Sequence, residues 1–80
     1  MYTVYILYSK TLGKYYTGQT ADLEDRLRRH NSGETISVKK GIPWNVVWTE
    51  VFETRAEAMR KERSIKGRGA ARFLQDIGLR

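Results

Sequence analysis

Two tyrosine-rich segments near the start of the chain limit most strongly what it can fold into. All five tyrosines lie in residues 2–8 and 14–19. Strand side chains alternate between two faces, and both segments are rich in the aromatic and β-branched residues that strands favour. Because only residues 9–13 separate them, they are predicted to form a β-hairpin that brings several phenol hydroxyls side by side.

Signals for a helix and a further strand follow the hairpin. Asp22 is a good N-cap, acidic residues follow it, and basic residues precede the stop at 31–33, so a helix is predicted between them. Residues 31–43 are interpreted as a polar linker, either a loop or a loop with a short strand at 35–38. Residues 44–52 are β-branched and aromatic and are predicted to form a third strand.

Two further helices are predicted in the last third of the chain. Thr54 and Glu57 have the spacing of a capping box, which predicts a helix over about 55–66. Gly67 is expected to end that helix in the left-handed conformation. A short helix over about 70–77 is expected to pack through three apolar residues, Phe73, Leu74 and Ile77. The order β-β-α-β-α-α predicts an α+β fold, a three-stranded antiparallel sheet flanked by helices.

The length and composition favour one cytoplasmic domain over residues 1–80. No apolar run approaches the ~20 residues of a membrane span, and no secretory signal is apparent. The absence of cysteine excludes disulfides and thiolate zinc sites and is typical of a cytoplasmic protein.

Positive charge is concentrated in the last third. Residues 1–54 contain seven Lys/Arg and six Asp/Glu, whereas residues 55–80 contain eight and three, within a net charge of +6. A polyanion is the natural partner of such a surface, and nucleic acid is the predicted one. The residues expected to hold its phosphates are Arg60, Lys61, Arg63, Lys66 and Arg68.

Glu62 has two interpretations. On a helical wheel it lies between Ala58 and Ile65, which are expected to face the sheet, and a carboxylate in an apolar stripe is costly unless it is paired or binds a cation. It is therefore either a cation ligand or an edge residue paired with Lys66. Glu57 has a sufficient structural role in the capping box.

Arg26, His30 and the tyrosines also have ordinary structural interpretations. Arg26 and His30 share one helix face because they are four residues apart, but arginine-rich faces are usually solvated. A single histidine most often lies at the surface, and aromatic cross-strand pairs commonly stabilise sheets.

An ordered set of short motifs links these residues. It consists of Val4–Ile6, then Tyr16–Gly18, then an arginine ten residues after Tyr16, and finally the helix that contains Glu62. With these spacings the chain resembles the GIY-YIG nuclease domain over residues 2–66. It is most similar to the small stand-alone members and more distantly to the N-terminal domain of the excision-repair nuclease.

The resemblance implies roles at the matching positions. Tyr5 and Tyr16 match the two motif tyrosines, and Arg26 matches the arginine of the helix. His30 matches a histidine found in many members, and Glu62 matches the glutamate that binds the metal. The implied cofactor is Mg²⁺ or Mn²⁺.

Other positions of the family pattern involve no catalytic side chain in this sequence, and some of them differ from the pattern. Gly18 matches the glycine of the second tripeptide and is implied to be structural at the site. Thr3 and Thr17 replace a glycine and an isoleucine, and neither change removes a functional group. The repair-nuclease branch has an asparagine after the metal helix, whereas the only asparagines here are Asn31 and Asn45. The stand-alone branch is the better match.

Phosphodiester hydrolysis suits these residue types. A cation on Glu62 would supply charge for the phosphate and the leaving oxygen, and the planar fork of Arg26 suits a phosphate oxygen. Tyr5 is expected to orient or deprotonate water, and the latter requires nearby positive charge to lower its pKa. Tyr16 and His30 would complete the network, with His30 as the alternative base.

The sequence therefore predicts a metal-dependent DNA endonuclease of structure-directed or weak sequence specificity. Two alternatives remain open. One is a nucleic-acid-binding module without useful catalysis, and the other is a protein-interaction domain that reuses the fold.

Overall fold

A computed structural model describes residues 1–33 and 40–79 of the chain. Its elements are β1 (Tyr2–Ser9), β2 (Lys14–Thr20), α1 (Leu23–Ser32), β3 (Trp44–Phe52), α2 (Arg55–Arg68) and α3 (Ala70–Asp76). This order confirms the predicted α+β class with its antiparallel three-stranded sheet. The possible short strand at 35–38 lies outside the described residues. None of the helices in the described part of the chain combines the length and apolar character that a bilayer-spanning segment needs.

The central strand β1 separates two small cores. The strand order is β2-β1-β3, and both pairings are antiparallel. Because side chains alternate along a strand, Val4 and Ile6 face α2 and α3, where they pack with other buried apolar residues. Tyr5 and Leu7 face the opposite way and pack with Trp44 and with residues of α1. Both sides of β1 are therefore covered, as its alternating pattern predicts.

The helix starts follow the predicted capping chemistry. The Asp22 side chain accepts a hydrogen bond from the Asp25 backbone N–H at 3.1 Å and caps α1. Thr54 and Glu57 form both bonds of the capping box at the start of α2. These bonds satisfy backbone donors that the first turn of a helix leaves unpaired.

The predicted end of α2 is wrong by two residues. Gly67 lies inside the helix, and Gly69 ends it with a φ of 94° and a backbone N–H that donates to the Ile65 carbonyl at 2.8 Å. A glycine inside a helix costs only about 1 kcal/mol relative to alanine, so the first glycine did not have to stop it. Helix α3 then begins directly after this turn, at Ala70.

The predicted docking of α3 is correct for two of its three residues. Leu74 is buried, and Phe73 packs edge-to-face on Trp48 with ring centroids 4.9 Å apart. Ile77 remains 45% exposed. It is the C-cap of α3 and lies beyond the last helical residue, so the helix does not direct its side chain to the core.

Candidate active site

Three of the predicted site residues meet beside the hairpin. The Tyr5 hydroxyl lies 3.4 Å from His30 Nε2. The Tyr5 and Tyr16 rings are stacked with centroids 6.4 Å apart, and the Tyr16 and His30 rings meet edge-to-face at 4.8 Å. The structure thus joins the two strands of the hairpin and the end of α1 in one aromatic, hydrogen-bonding cluster.

Gly18 makes room for the Tyr5 ring. The two residues are partners in the β1–β2 register. A Cβ atom at position 18 would lie 2.6 Å from the Tyr5 hydroxyl and 2.8 Å from its Cζ atom. Any side chain at this position would displace the phenol, so the glycine allows Tyr5 to lie across the neighbouring strand.

Helix α1 brings His30 and Arg26 to the same side. Since they are four residues apart, they lie one helical turn from each other. His30 is 1% exposed and Arg26 is partly buried. Arg26 forms no ion pair within the described residues, whereas Arg28 and Arg29 both pair with Asp25 on the exposed side of the helix. The arginine predicted to be functional is therefore available to an anion.

Asn31, for which the sequence predicted no role at the site, also positions this cluster. The Asn31 side chain accepts a hydrogen bond from the Trp44 backbone N–H at 2.6 Å and donates one to the Trp44 carbonyl at 3.1 Å. The buried Trp44 ring contacts Tyr16 edge-to-face at 6.2 Å. Asn31 thus attaches the end of α1 to the start of β3, and no short-range sequence signal identifies this contact between residues 13 positions apart.

The pKa values of the two potential bases, Tyr5 and His30, are shifted in opposite directions. Burial is the main cause that raises the pKa of the Tyr5 phenol well above its usual value, with smaller increases from Tyr16 and Glu62. Arg26 lowers this pKa but does not offset the burial. The lowered pKa that deprotonation of water by Tyr5 would require is therefore absent in this state of the protein, in which Tyr5 is a neutral phenol.

His30 is better suited to accept a proton. Burial, and to a smaller extent the charge of Arg26, lower the pKa of its imidazole. It is therefore neutral at pH 7. Its Nδ1 atom is buried and has no hydrogen-bond partner among the described residues.

Glu62 belongs to α2, which packs on the face of β1 opposite to Tyr5, and its carboxylate is paired. Its side chain is 20% exposed, and its carboxylate is 2.7 Å from the Lys66 ammonium. Ala58 and Ile65, on either side of it on the helical wheel, are fully buried as predicted. Its charge affects the Tyr5 phenol, so the two groups are electrostatic neighbours. Of the two interpretations of Glu62, the structure shows the ion pair directly.

The donor set around Glu62 is compatible with magnesium. No three potential acidic, histidine or cysteine ligands cluster anywhere in residues 1–33 and 40–79. Magnesium often binds one or two protein carboxylates and retains several waters. A single, partly exposed carboxylate meets that requirement, provided that the Lys66 ammonium moves aside.

The five residues predicted to bind phosphate are not equally available. Lys61 lies 3.8 Å from Glu50 and over the Phe73 ring, Lys66 pairs with Glu62, and Arg68 forms a bidentate pair with Asp76. Arg60 and Arg63 are exposed and form no ion pair within the described residues. Within the described residues, these two arginines are the members of the group whose charge is not already paired.

Comparisons with known proteins agree with the motif pattern. A family model described as the GIY-YIG catalytic domain matches residues 1–74. A UPF0213 protein of Halobacterium salinarum is 39% identical over 67 residues, which is 82% of this chain and 86% of that protein. One from Staphylococcus saprophyticus is 38% identical over 64 residues, covering 79% and 77% of the two chains. The solution NMR structure of a UPF0213 protein from Bacillus halodurans has 35% identity and a TM-score of 0.60, covering 100% of this chain and 86% of that one.

Proposed function

This chain belongs to the GIY-YIG family, and from its site we propose that it is a metal-dependent endonuclease that hydrolyses DNA phosphodiester bonds. Family membership by itself implies a nuclease-type function on nucleic acid. The observation that supports catalysis most is the contact between the Tyr5 hydroxyl and the neutral His30 imidazole beside the unpaired Arg26. A domain of 80 residues has little surface left for reading bases, so we propose structure-directed or weak sequence specificity.

The geometry supports a proton relay from water through Tyr5 to His30. As the water oxygen bonds to phosphorus and the bond to the leaving oxygen breaks, the water proton passes to the Tyr5 hydroxyl oxygen. The phenol proton passes at the same time to His30 Nε2, which lies 3.4 Å away. This requires the imidazole proton to be on Nδ1. The relay never forms a free phenolate, so the raised pKa of Tyr5 does not block it.

Arg26 and Glu62 complete the proposed site. The guanidinium of Arg26 would hold a non-bridging phosphate oxygen, where its fixed donors also orient the phosphorus toward the attacking water. Glu62 would hold Mg²⁺ or Mn²⁺, which when bound supplies positive charge for the phosphoryl group and the leaving alkoxide. Lys66, released from Glu62, would then be free to bind a phosphate.

The test is incubation with supercoiled plasmid and with branched DNA, with and without Mg²⁺ or Mn²⁺. We expect nicked or cut products only with the metal. The affinity for duplex DNA in EDTA should fall as salt rises, with a log–log slope of about −0.9 for each phosphate neutralised. Salt-dependent binding without any product in either metal would contradict the proposed catalysis.

The second candidate, a binding module without useful catalysis, is favoured by one observation. The Lys66 ammonium occupies the Glu62 carboxylate where a metal would bind. Such a module would bind DNA in EDTA and give no metal-dependent product. The experiment above therefore separates the two candidates.

Replacing single tyrosines by phenylalanine should separate packing from chemistry. Tyr5→Phe and Tyr16→Phe keep the ring but lose the hydroxyl, and we expect each to lower turnover by at least about 10²-fold. Tyr2→Phe and Tyr8→Phe are the matched controls, since they face away from His30 and we expect them to keep full activity. Turnover is measured in the nicking assay beside a thermal melt. Equal activity of the four variants would assign these tyrosines to packing alone.

The rate should depend on the protonation state of His30. Only the neutral imidazole can accept a proton, so kcat/KM should fall as the pH drops through the lowered pKa of His30, below about 6.5. His30→Asn should reduce the rate by about 10²–10⁴-fold and remove this acid limb. The measurement is kcat/KM across the acidic and neutral range, with folding of the buried-site variant checked by melting. An acid limb that persists unchanged in the variant would identify another base.

A further inference from the structure

A groove runs beside the catalytic cluster along the outer edge of β2. It has a volume of about 350 Å³, within the range of sites that hold small ligands. One wall is the strand and the other is the junction of α2 and α3. The residues that line it are Tyr15, Tyr16, Thr17, Lys66, Ala70 and Ala71.

We propose that this groove binds an unpaired nucleotide of the substrate strand, with its base against Tyr15 and its phosphate on Lys66. The inference rests on the proposed nuclease function and extends it to a substrate class, namely strands with an unpaired nucleotide next to the cleaved phosphate. Two lining residues connect the groove to the catalytic site. Tyr16 contacts His30, and Lys66 is the ion-pair partner of Glu62.

The aromatic wall of the groove is held rigidly. Tyr15 is the cross-strand partner of Tyr8, and the two rings pack with centroids 4.8 Å apart. Tyr15 also packs against the core beneath α2. A restrained aromatic ring is a stacking platform that accepts any base, because every base has a π-face.

The charge around the groove suits a phosphate. Lys66 lines it directly, and its side chain is 56% exposed. The neighbouring hairpin contains Lys10 and Lys14, both exposed, and residues 1–21 contain no acidic residue. The hairpin that forms one wall of the groove therefore carries only positive charge, which attracts a nucleic acid strand.

The opposite wall leaves space for a base. Ala70 and Ala71 carry the smallest side chains available to a helix, and the turn at Gly69 places them across from β2. A base inside a duplex is stacked on both faces and has to leave the stack before it can pack on a protein ring. The groove therefore favours a single strand, a flap or a fork over a continuous duplex.

A substitution that fills the groove tests this inference. Ala71→Glu adds bulk and negative charge at an exposed position. Ala56→Glu is the matched control, because it makes the same substitution in the first turn of α2, also at an exposed position and away from the groove. Fluorescence anisotropy in EDTA measures the affinity of each protein for a short single-stranded oligonucleotide and for a blunt duplex. Catalysis does not enter the readout.

We expect Ala71→Glu to lower the ratio of single-strand to duplex affinity by about tenfold, the effect of losing one stacked base, while Ala56→Glu leaves that ratio unchanged. Tyr15→Phe should keep the wild-type ratio and Tyr15→Leu should lose it, with melts to verify folding. If Ala71→Glu keeps the wild-type ratio, as Ala56→Glu is expected to do, the groove does not bind a nucleotide. The nuclease proposal would still stand. If the wild type binds neither oligonucleotide, the nuclease proposal and this inference both fail.

Discussion

Glu62→Gln is expected to reduce metal-dependent cleavage by about 10²-fold or more, the cost of removing a group that stabilises transition-state charge. The amide keeps the shape of the side chain but loses the charge that attracts a divalent cation. The measurement is nicking of supercoiled plasmid in Mg²⁺ and in Mn²⁺. Glu57→Gln is the matched control, since it makes the same change on the same helix and glutamine also serves in a capping box. We expect the control to cleave at the wild-type rate.

Thermal melting gives a second readout for Glu62. From the sequence alone, removing a charge from an apolar stripe is expected to leave the metal-free fold equally or more stable. The structure changes this expectation, because the Gln variant loses the ion pair with Lys66. An i,i+4 ion pair on a helix contributes at most about 0.5 kcal/mol, so the midpoint should fall by no more than about 2–4 °C in EDTA.

Metal-induced stabilisation separates the two interpretations of Glu62. A ligand that binds only the folded protein raises its melting midpoint. Mn²⁺ should therefore raise the midpoint of the wild type and of Glu57→Gln but not that of Glu62→Gln. Full nicking activity in Glu62→Gln would refute the proposed mechanism, whatever the melts show, and would leave Glu62 as a partner of Lys66 only.

Local sequence signals were sufficient for most of the fold. Strand alternation placed Tyr5 and Val4 on opposite faces of β1, and the short connection to the second strand required a hairpin. The caps at Asp22 and Thr54 are formed by residues three positions apart, which a sequence shows directly. The error at Gly67 arose because two glycines stood close together and helix propensity distinguishes them only weakly.

Contacts that depend on how the helices and strands pack could not be predicted from the sequence. The pairing of Arg68 with Asp76 depends on the angle between α2 and α3, which the turn at Gly69 sets. For Glu62, the sequence left two possibilities open. Spacing alone does not show whether its carboxylate binds a metal cation or pairs with the Lys66 ammonium. The raised pKa of Tyr5 depends on its burial in the folded protein, which its strand pattern does not measure.

Arg26→Ala is expected to reduce cleavage by about 10²–10³-fold while the fold is retained. Arg26 forms no ion pair within the described residues, so its loss should move the melting midpoint by only a few degrees. Arg28→Ala is the matched control. The Arg28 side chain is 61% exposed and pairs with Asp25 at 2.8 Å, on the same helix but away from His30. Plasmid nicking and melting are measured for both, and equal losses of activity would indicate a general basic face instead of a site.

The pH profile distinguishes the two ways in which Arg26 acts. Its charge lowers the pKa of His30, in addition to the larger effect of burial. Removing that charge should raise the pKa of His30 toward its usual value, so the acid limb of kcat/KM should move to higher pH in Arg26→Ala and stay in place in Arg28→Ala. Arg26→Lys keeps the charge but loses the planar donor fork. It should therefore retain the position of the acid limb and still cleave slowly. If Arg26→Lys restores the full rate, the phosphate is held by charge alone and the fork geometry is not required.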